Sequence, residues 1–391
     1  GPRASSSAPK ETSTATVPEV RARIFAPMVT VDAGDKERLS SGGYGAPERG
    51  PTERPIVSVI DAGAERPITR VAAGDALVSA SACLLPRAAV FHTGSQSLLV
   101  ACLGSNGVMR LDGRAGDPLR PQLARFRVPA GPTGIAVEES RSRAVVFSQF
   151  ASALSVISLA DGSTRTIPVP VLSTRAPAPT LLRGRELFHA PNDGRISDVG
   201  RACASCPPDG RDDAIPWQTP DGPRQTIMLA GRLADSAPFG WEGGNATVQE
   251  HVEQTLTRLR GSGMAVHRSD RADFDALLAY VRALRAPKNA PDPSRASLIA
   301  RGQEIFQDER AACATCPPAG QTNRSAAAVG GGPRKIDTPS LKGVGGTAPY
   351  FHDGRFATLD ELLKSPDHSM GKTAQLTRRD RVALAAYLET L

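Results

Sequence analysis

Residues 202–208 read Ala-Cys-Ala-Ser-Cys-Pro-Pro, and residues 312–318 read Ala-Cys-Ala-Thr-Cys-Pro-Pro. The two stretches differ at one position, and their first cysteines, Cys203 and Cys313, are 313 − 203 = 110 residues apart. Two such similar stretches in one chain indicate an internal duplication. A repeat of this length is long enough to form one small domain per copy.

The similarity extends to both sides of these stretches. On the N-terminal side, residues 183–188 (Arg-Gly-Arg-Glu-Leu-Phe) match residues 301–306 (Arg-Gly-Gln-Glu-Ile-Phe). On the C-terminal side, residues 237–243 (Ala-Pro-Phe-Gly-Trp-Glu-Gly) match residues 348–354 (Ala-Pro-Tyr-Phe-His-Asp-Gly), with an offset of 348 − 237 = 111. Because the matches come in the same order in both copies, chance is a poor explanation for them.

Apolar residues at helical spacing predict helices in both copies. The predicted helices cover residues 181–188, 248–259, 274–284, 297–306, 359–363 and 381–391. We therefore define a first lobe (171–290) and a second lobe (291–391), each with a helix, the C-x-x-C pair, a long loop and two further helices. We expect the first helix of each lobe to pack on its last, and the lobes to face each other about a pseudo-two-fold axis.

The residues before the repeats have a different pattern. Residues 21–170 contain short β-rich runs between turn residues, such as 56–60, 97–101, 144–147 and 154–157. Residues 132–162 resemble one blade of a YVTN-type β-propeller, and at about 40 residues per blade this region holds three or four blades. Since propellers usually close with four to eight blades, we expect a partial β-propeller that a partner protein completes. A small β-domain of another kind is the alternative.

Charge and composition exclude several classes of function. The 391 residues carry 47 Lys and Arg against 40 Asp and Glu, and the interspersed signs favour a solvated surface over a nucleic-acid site. No run of 18 apolar residues exists, so the sequence predicts no membrane span. Residues 1–20, rich in Ser, Thr, Ala and Pro, predict a disordered leader, and residues 163–178 predict a linker.

The six cysteines indicate two kinds of chemistry. Isolated C-x-x-C pairs favour haem attachment or redox disulfides over a closed zinc site. Covalent haem attachment normally uses C-x-x-C-H, in which the histidine binds the iron. Here Pro207 and Pro317 stand at that position, and their amide nitrogens offer no lone pair to a metal. Cys83 and Cys102 lie on neighbouring strand-like runs, and we expect a disulfide between them in an oxidising compartment.

The motifs after residue 178 together resemble the bacterial di-haem cytochrome c peroxidase and MauG-like family. The resemblance rests on the repeat motifs above, on residues 338–344 (TPSLKGV) and on residues 347–355 (TAPYFHDGR). It implies a multidomain β plus all-α fold, with two tandem cytochrome-c-like helical lobes after the partial propeller. It also implies haem c as cofactor, a periplasmic or extracellular location, and electron transfer to or from a redox protein partner, with peroxide reduction or oxidation of another protein.

The same resemblance implies roles for individual residues. Met370 corresponds to an axial methionine, and Trp241 to a tryptophan that bridges two haems. His352 lies in a family motif, where it is a weaker candidate for a metal ligand than for a residue that orders its loop. The cysteines that would carry haem through thioethers are Cys203, Cys206, Cys313 and Cys316.

The two prolines leave four readings open. Haem can be attached by thioethers with its iron bound by another group, such as Met370. The lobes can instead be haem-free, as a pseudo-enzyme that acts as a binding or structural subunit. The cysteine pairs can bind another metal or cycle as redox disulfides, or the sequence can have been altered at these positions. His189, His251 and His267 are assigned to the surface or the core, and catalytic residues stay unknown.

Overall fold

The computed structural model describes most of the chain. The described residues are 22–35, 44, 52–68, 83–114, 122–170, 177–198, 200–206, 208–234, 236–264, 267–287, 292–315, 326–328, 335–368 and 370–391. The leader expected at residues 1–20 lies outside them, as do Pro207, Cys316 and Pro317.

The described residues before position 169 form three antiparallel sheets. The first sheet contains β1 (Arg23–Val31), β2 (Glu53–Asp61) and β3 (Arg66–Pro67). The second sheet contains β4 (Pro86–His92), β5 (Ser97–Cys102), β6 (Gly107–Asp112) and β7 (Gln122–Arg127). The third sheet contains β8 (Pro132–Glu138), β9 (Arg143–Ser148), β10 (Ala153–Ser158) and β11 (Thr164–Pro168). No strand pairing joins one of these sheets to another, and within the described ranges they form no closed ring.

The strands expected at 56–60, 97–101, 144–147 and 154–157 are confirmed as parts of β2, β5, β9 and β10. The linker expected over 163–178 is wrong in part, because β11 pairs with β10 as an edge strand. Ile167 lies directly opposite Leu154 in this pair. Cross-strand apolar neighbours stabilise a sheet, and here they outweigh the Thr and Pro content that favoured a linker.

The three sheets stack face to face with β5 in the middle. Every residue of β5 is buried, because successive side chains of a strand point to opposite faces and both faces are covered. On one face Leu98 packs with Val57 of the first sheet. On the other face Leu99 packs with Val146 of the third sheet.

Cys83 and Cys102 are joined by a disulfide, with 4.9 Å between their Cα atoms. Cys83 precedes β4 and Cys102 ends β5, so the bond ties the start of the second sheet to its central hairpin. Both residues are buried.

Six α-helices follow among the described residues, three in each lobe. They are α1 (Pro179–Phe188), α2 (Val248–Arg258), α3 (Arg271–Ala283), α4 (Ala296–Gln307), α5 (Leu359–Lys364) and α6 (Arg378–Leu388). A hairpin precedes the middle helix of each lobe, made of β12 (Pro216–Thr219) with β13 (Gly222–Gln225) and of β14 (Ala326–Ala328) with β15 (Lys335–Asp337). The helices expected from the sequence are confirmed. In the part of the chain that the structure covers, none is long and apolar enough to cross a bilayer.

The first and last helices of each lobe cross at a glycine. A methyl group on Gly184 of α1 would overlap the carbonyl oxygen of Ala276 in α3, and one on Gly302 of α4 would overlap that of Ala383 in α6. Glycine lets the two backbones approach this closely because it has no Cβ. Beside each crossing two rings lie with centroids 5.4 Å apart, in the pairs Phe188–Tyr280 and Phe306–Tyr387. The expected pairing of first and last helices is confirmed.

The middle helices α2 and α5 begin with the same cap. The side chains of Thr247 and Thr358 each accept a hydrogen bond at 3.2 Å from the backbone N–H three residues further on. The carboxylates of those third residues, Glu250 and Glu361, accept a 2.8 Å bond from the backbone N–H of the alanine that precedes each threonine. These bonds satisfy donors that a helix start would otherwise leave unpaired.

Candidate functional site

Each C-x-x-C motif borders a cavity, through Cys203 and Cys206 in the first repeat and through Cys313 in the second. The first cavity has a volume of about 310 Å³ and the second cavity about 220 Å³. Side chains at equivalent repeat positions line them, in the pairs Phe188 and Phe306, Cys203 and Cys313, Phe239 and Tyr350, Leu277 and Leu384, and Val281 and Leu388. The second cavity is therefore largely apolar, as sites for organic cofactors usually are, whereas the first combines this apolar set with charged side chains such as Arg224, Glu242 and Arg258.

The three described cysteines of the two pairs border the cavities as protonated thiols. Cys203 begins a short 3₁₀ turn that ends before Cys206, and both line the first cavity. Burial raises the pKa of both thiols to about 12. In the second cavity burial raises the pKa of Cys313 to about 11. Because thiolates are the reactive and metal-binding form, these environments disfavour a nucleophilic cysteine or a thiolate metal site at neutral pH. Cys316 lies outside the described residues.

His251 lines the first cavity from α2. Its Nδ1 lies 3.3 Å from the side-chain amide nitrogen of Asn245. Burial, with a smaller contribution from the guanidinium of Arg258, lowers the pKa of His251 to about 4. The imidazole is therefore neutral at pH 7, which is the form that binds metals. The sequence interpretation gave His251 no role, although it lies on one helical stripe with the cavity residues Val248 and Val252.

Met370 lines the second cavity from the loop after α5. In this loop the next residue, Gly371, approaches the pair closely, since a Cβ on it would lie 3.3 Å from Cys313 Sγ. His368 fixes the loop: its Nδ1 accepts a 2.8 Å bond from the Met370 N–H, and its Nε2 lies 2.8 Å from Thr373 Oγ1. Because both ring nitrogens of His368 are engaged, the thioether of Met370 is the soft donor that this loop brings to the cavity.

Trp241 lines both cavities and lies where the two lobes meet. Its counterpart in the second repeat is His352, since 352 − 241 = 111, and the two rings are 6.3 Å apart. The backbone N–H of Gln225 donates to His352 O at 2.7 Å, and that of Asp337 donates to Trp241 O at 2.8 Å. Gln225 and Asp337 are themselves equivalent, with an offset of 337 − 225 = 112. This reciprocal pair agrees with lobes that face each other about a pseudo-two-fold axis.

The second cavity also has a polar edge. Burial raises the pKa of the carboxyls of Asp212 and Asp337 to about 6, and it lowers the pKa of Arg232 to about 10. Three buried atoms that face this edge have no hydrogen-bond partner among the described residues: Asp337 Oδ1, Arg232 Nη2 and His352 Nδ1. Buried polar groups are normally paired, so this edge can hydrogen-bond a polar group placed in the cavity.

The β-sheet region reaches the first cavity through a buried ion pair. Arg201 Nε donates to Glu53 Oε1 of β2 at 2.9 Å, and both side chains are less than a tenth exposed. Arg201 also donates to the backbone oxygen of Tyr44 at 3.1 Å, and its Nη2 lies 3.7 Å from Cys206 Sγ. The second lobe has Ala311 at the position of Arg201, since 311 − 201 = 110. Among the described residues of the β region, Tyr44 lines the first cavity and none lines the second.

Known proteins with similar sequences and structures are distant. No family model matches the chain. Hydrazine synthase subunit gamma of Kuenenia stuttgartiensis is 27% identical over 266 residues, which cover 51% of this chain and 75% of that protein. A solved hydrazine synthase of Kuenenia stuttgartiensis covers 57% of this chain and 90% of its own, with 20% identity and a TM-score of 0.45. A MauG-like protein associated with microbial copper homeostasis covers 57% of this chain and 93% of its own, with 18% identity and a TM-score of 0.42.

Proposed function

We propose that this chain is a two-centre haem protein that transfers electrons, with one haem carried by the C-x-x-C pair of each cavity. The observation that carries the proposal is the pair of cavities at equivalent repeat positions, the first bordered by Cys203, Cys206 and His251 and the second by Cys313 and Met370, with Trp241 lining both. When bound, haem would supply reversible one-electron chemistry at its iron.

The residues of both cavities fit such a group. The apolar walls suit a flat hydrophobic ring, and the protonated thiols of Cys203 and Cys206 suit addition to its vinyl groups. Arg232, whose Nη2 is buried without a partner among the described residues, suits a carboxylate at the polar edge of the second cavity. His251 and Met370 provide the donors that Pro207 and Pro317 cannot.

In this proposal Trp241 lies between the two haem sites and bridges them. Its indole N–H donates to the backbone oxygen of Gln225 at 2.7 Å, and this bond fixes the ring between the cavities. The ring therefore excludes water from the boundary and offers a polarisable contact to both sides. His352, as its counterpart, borders the second cavity only, and we assign it a role in ordering this boundary.

The test is expression of the full chain with a haem-attachment system, followed by mass spectrometry and an absorption spectrum. We expect a mass increase of two haems and a Soret band. The double substitution Cys203→Ser with Cys206→Ser should remove one haem, and Cys313→Ser with Cys316→Ser should remove the other. As a matched control, Cys83→Ser with Cys102→Ser removes two cysteines and should keep both haems. A wild-type chain with no covalent haem contradicts the proposal.

A haem-free binding subunit is the second candidate function. It is favoured by the proline after both C-x-x-C pairs, and the similarity to a hydrazine synthase subunit supports membership of a larger complex. Co-purification of a stable partner with a chain that lacks a Soret band would establish it.

Both candidate functions are compatible with a partner protein that completes the β region. We propose that residues 21–170 form blades of a propeller shared with another chain in the periplasm or outside the cell. Ile24 and Met28 of β1 are 53% and 39% exposed, and Phe147 of β9 in the last sheet is 40% exposed, as open ends of a blade stack would be. Native mass measurement tests this: a monomer with no co-purifying chain contradicts it.

A further inference from the structure

We infer that Tyr44, which lies between β1 and β2 and outside both lobes, supplies an oxygen donor to the metal of the first cavity. The inference rests on the proposed function, and it names a ligand that neither C-x-x-C motif nor the helical lobes provide. Tyr44 lines the first cavity together with Cys203, Cys206 and His251.

Three contacts hold Tyr44 at the cavity wall. Arg201 donates to its backbone oxygen at 3.1 Å, and Arg201 is itself anchored on β2 by Glu53. The Tyr44 ring meets the ring of Trp217 edge-on, with 6.3 Å between centroids. The guanidinium carbon of Arg258 lies 6.0 Å from the Tyr44 ring centroid. The ring is therefore positioned by the β region, the hairpin β12–β13 and α2 together.

The chemistry of this corner suits a phenol that binds iron. Tyrosine is an established haem ligand, as in catalase. Burial raises the pKa of the free Tyr44 phenol, and the nearby guanidinium groups of Arg258 and Arg201 oppose that rise. A bound metal ion would displace the phenol proton, and the two guanidinium groups would then balance the charge of the phenolate. Arg258 is tied at 2.9 Å to Asp221, so its position is fixed from the other side as well.

The second cavity lacks a counterpart, which makes the two centres chemically different. Its described lining contains Met370 and Tyr350 but no residue of the β region, and Ala311 replaces Arg201. An anionic oxygen ligand stabilises ferric iron, whereas a methionine ligand raises the reduction potential. We therefore expect the first centre to have the lower potential of the two.

The experiment compares Tyr44→Phe with Tyr280→Phe in the full haem-loaded chain. Tyr280 packs against Phe188 outside the lining of the first cavity, so its substitution removes one phenol oxygen elsewhere in the lobe. In the ferric wild type we expect tyrosinate vibrations in the resonance Raman spectrum and a phenolate-to-iron charge-transfer band. Tyr44→Phe should abolish both and raise the lower midpoint potential, while Tyr280→Phe leaves them unchanged.

Every other result overturns the inference. Haem-loaded wild type without tyrosinate vibrations, or vibrations that persist in Tyr44→Phe, excludes Tyr44 as the donor while the proposed function stands. A wild type that carries no haem overturns the proposed function and this inference together, and the haem content distinguishes the two failures. If Tyr44→Phe does not fold, Arg258→Gln keeps the phenol and should shift the charge-transfer band; an unshifted band counts against the inference.

Discussion

The first and second lobes build the same helix crossing on Gly184 and Gly302 and start their middle helices with the same threonine cap, yet the walls of their cavities differ. The first cavity is lined by Tyr44 of the β region, whose backbone Arg201 holds, and by the imidazole of His251. The second is lined by the loop that carries Met370 and by first-lobe residues such as Arg232 and Trp241. The repeat thus keeps the residues that hold helices together and varies the residues that face a ligand, so the two sites can differ in chemistry on one scaffold.

The largest difference between the lobes should come from the buried ion pair of the first. Arg201→Met leaves the Glu53 carboxylate buried without its cation, which costs about 3–5 kcal/mol. Hydrogen exchange with mass spectrometry should show faster exchange in α1–α3 than in α4–α6. Arg301→Met is the matched control, because it breaks an exposed ion pair with Asp380, 3.1 Å away, and exposed ion pairs contribute little to stability. Equal effects of the two substitutions would contradict the prediction that the buried ion pair of the first lobe contributes more stability.

The glycine crossings should respond alike in both lobes. Gly184→Ala and Gly302→Ala each force a methyl group into a carbonyl oxygen of the facing helix, and we expect about 2–3 kcal/mol of destabilisation from overpacking. Thermal unfolding with lobe-resolved hydrogen exchange measures this. Gly194→Ala and Gly346→Ala, where a Cβ would meet no atom within 4 Å, are the controls and should be close to neutral. A large effect in one lobe only would show that the two helix crossings are not packed equally tightly.

The equivalent positions Gln225 and Asp337 should give the lobes different pH responses. Desolvation raises the folded pKa of Asp337 to about 6, above the usual value of about 3.9 in an unfolded chain. The stability that protonated Asp337 contributes is therefore complete below about pH 4 and is lost as pH rises through about 6. Asp337→Gln, which copies the first repeat, should stabilise the chain by about 1 kcal/mol at pH 7.5, after allowance for solvent screening, and by nothing at pH 4. Melting temperatures across this range decide it; a gain that is the same at both pH values would contradict the pKa assignment.

The smallest expected effect is at the shared caps. Thr247→Ala and Thr358→Ala should each cost about 1 kcal/mol, because the first turn of the helix loses its side-chain acceptor. Amide exchange in α2 and α5 reports each cap separately. Thr257→Ala, within α2, keeps the cap and should change exchange much less. Cap effects that differ several-fold between the lobes would mean that packing, not the cap, fixes one helix start.

Features with a local sequence signal were predictable, including the duplication, the helices and the strands. The spacing of apolar residues specifies α1 and α4 whatever they pack against, and the C-x-x-C pairs mark the cavities. Contacts between distant segments carried no such signal. Arg201 and Glu53 are 148 residues apart, and nothing in either local sequence indicates their pairing. Haem attachment at the four cysteines stays a prediction.

Two residues that line the first cavity, His251 and Tyr44, were not predicted from the sequence. His251 had a usable signal, because a polar residue on the apolar stripe of a helix faces the interior and needs a reason to be there. Tyr44 had none, since it precedes β2 in a segment rich in Gly, Ser and charged residues. Its position depends on a guanidinium supplied by the first lobe.

The reciprocal bonds from Gln225 to His352 and from Asp337 to Trp241 have the form of an isologous contact, in which residue i meets residue j and j meets i. Such contacts are the signature of identical subunits related by a two-fold axis. A chain with one repeat could make both bonds only with a second copy of itself. The two lobes therefore contact each other as the subunits of a homodimer would, and because they belong to one polypeptide their equivalent positions can differ, as Trp241 and His352 do.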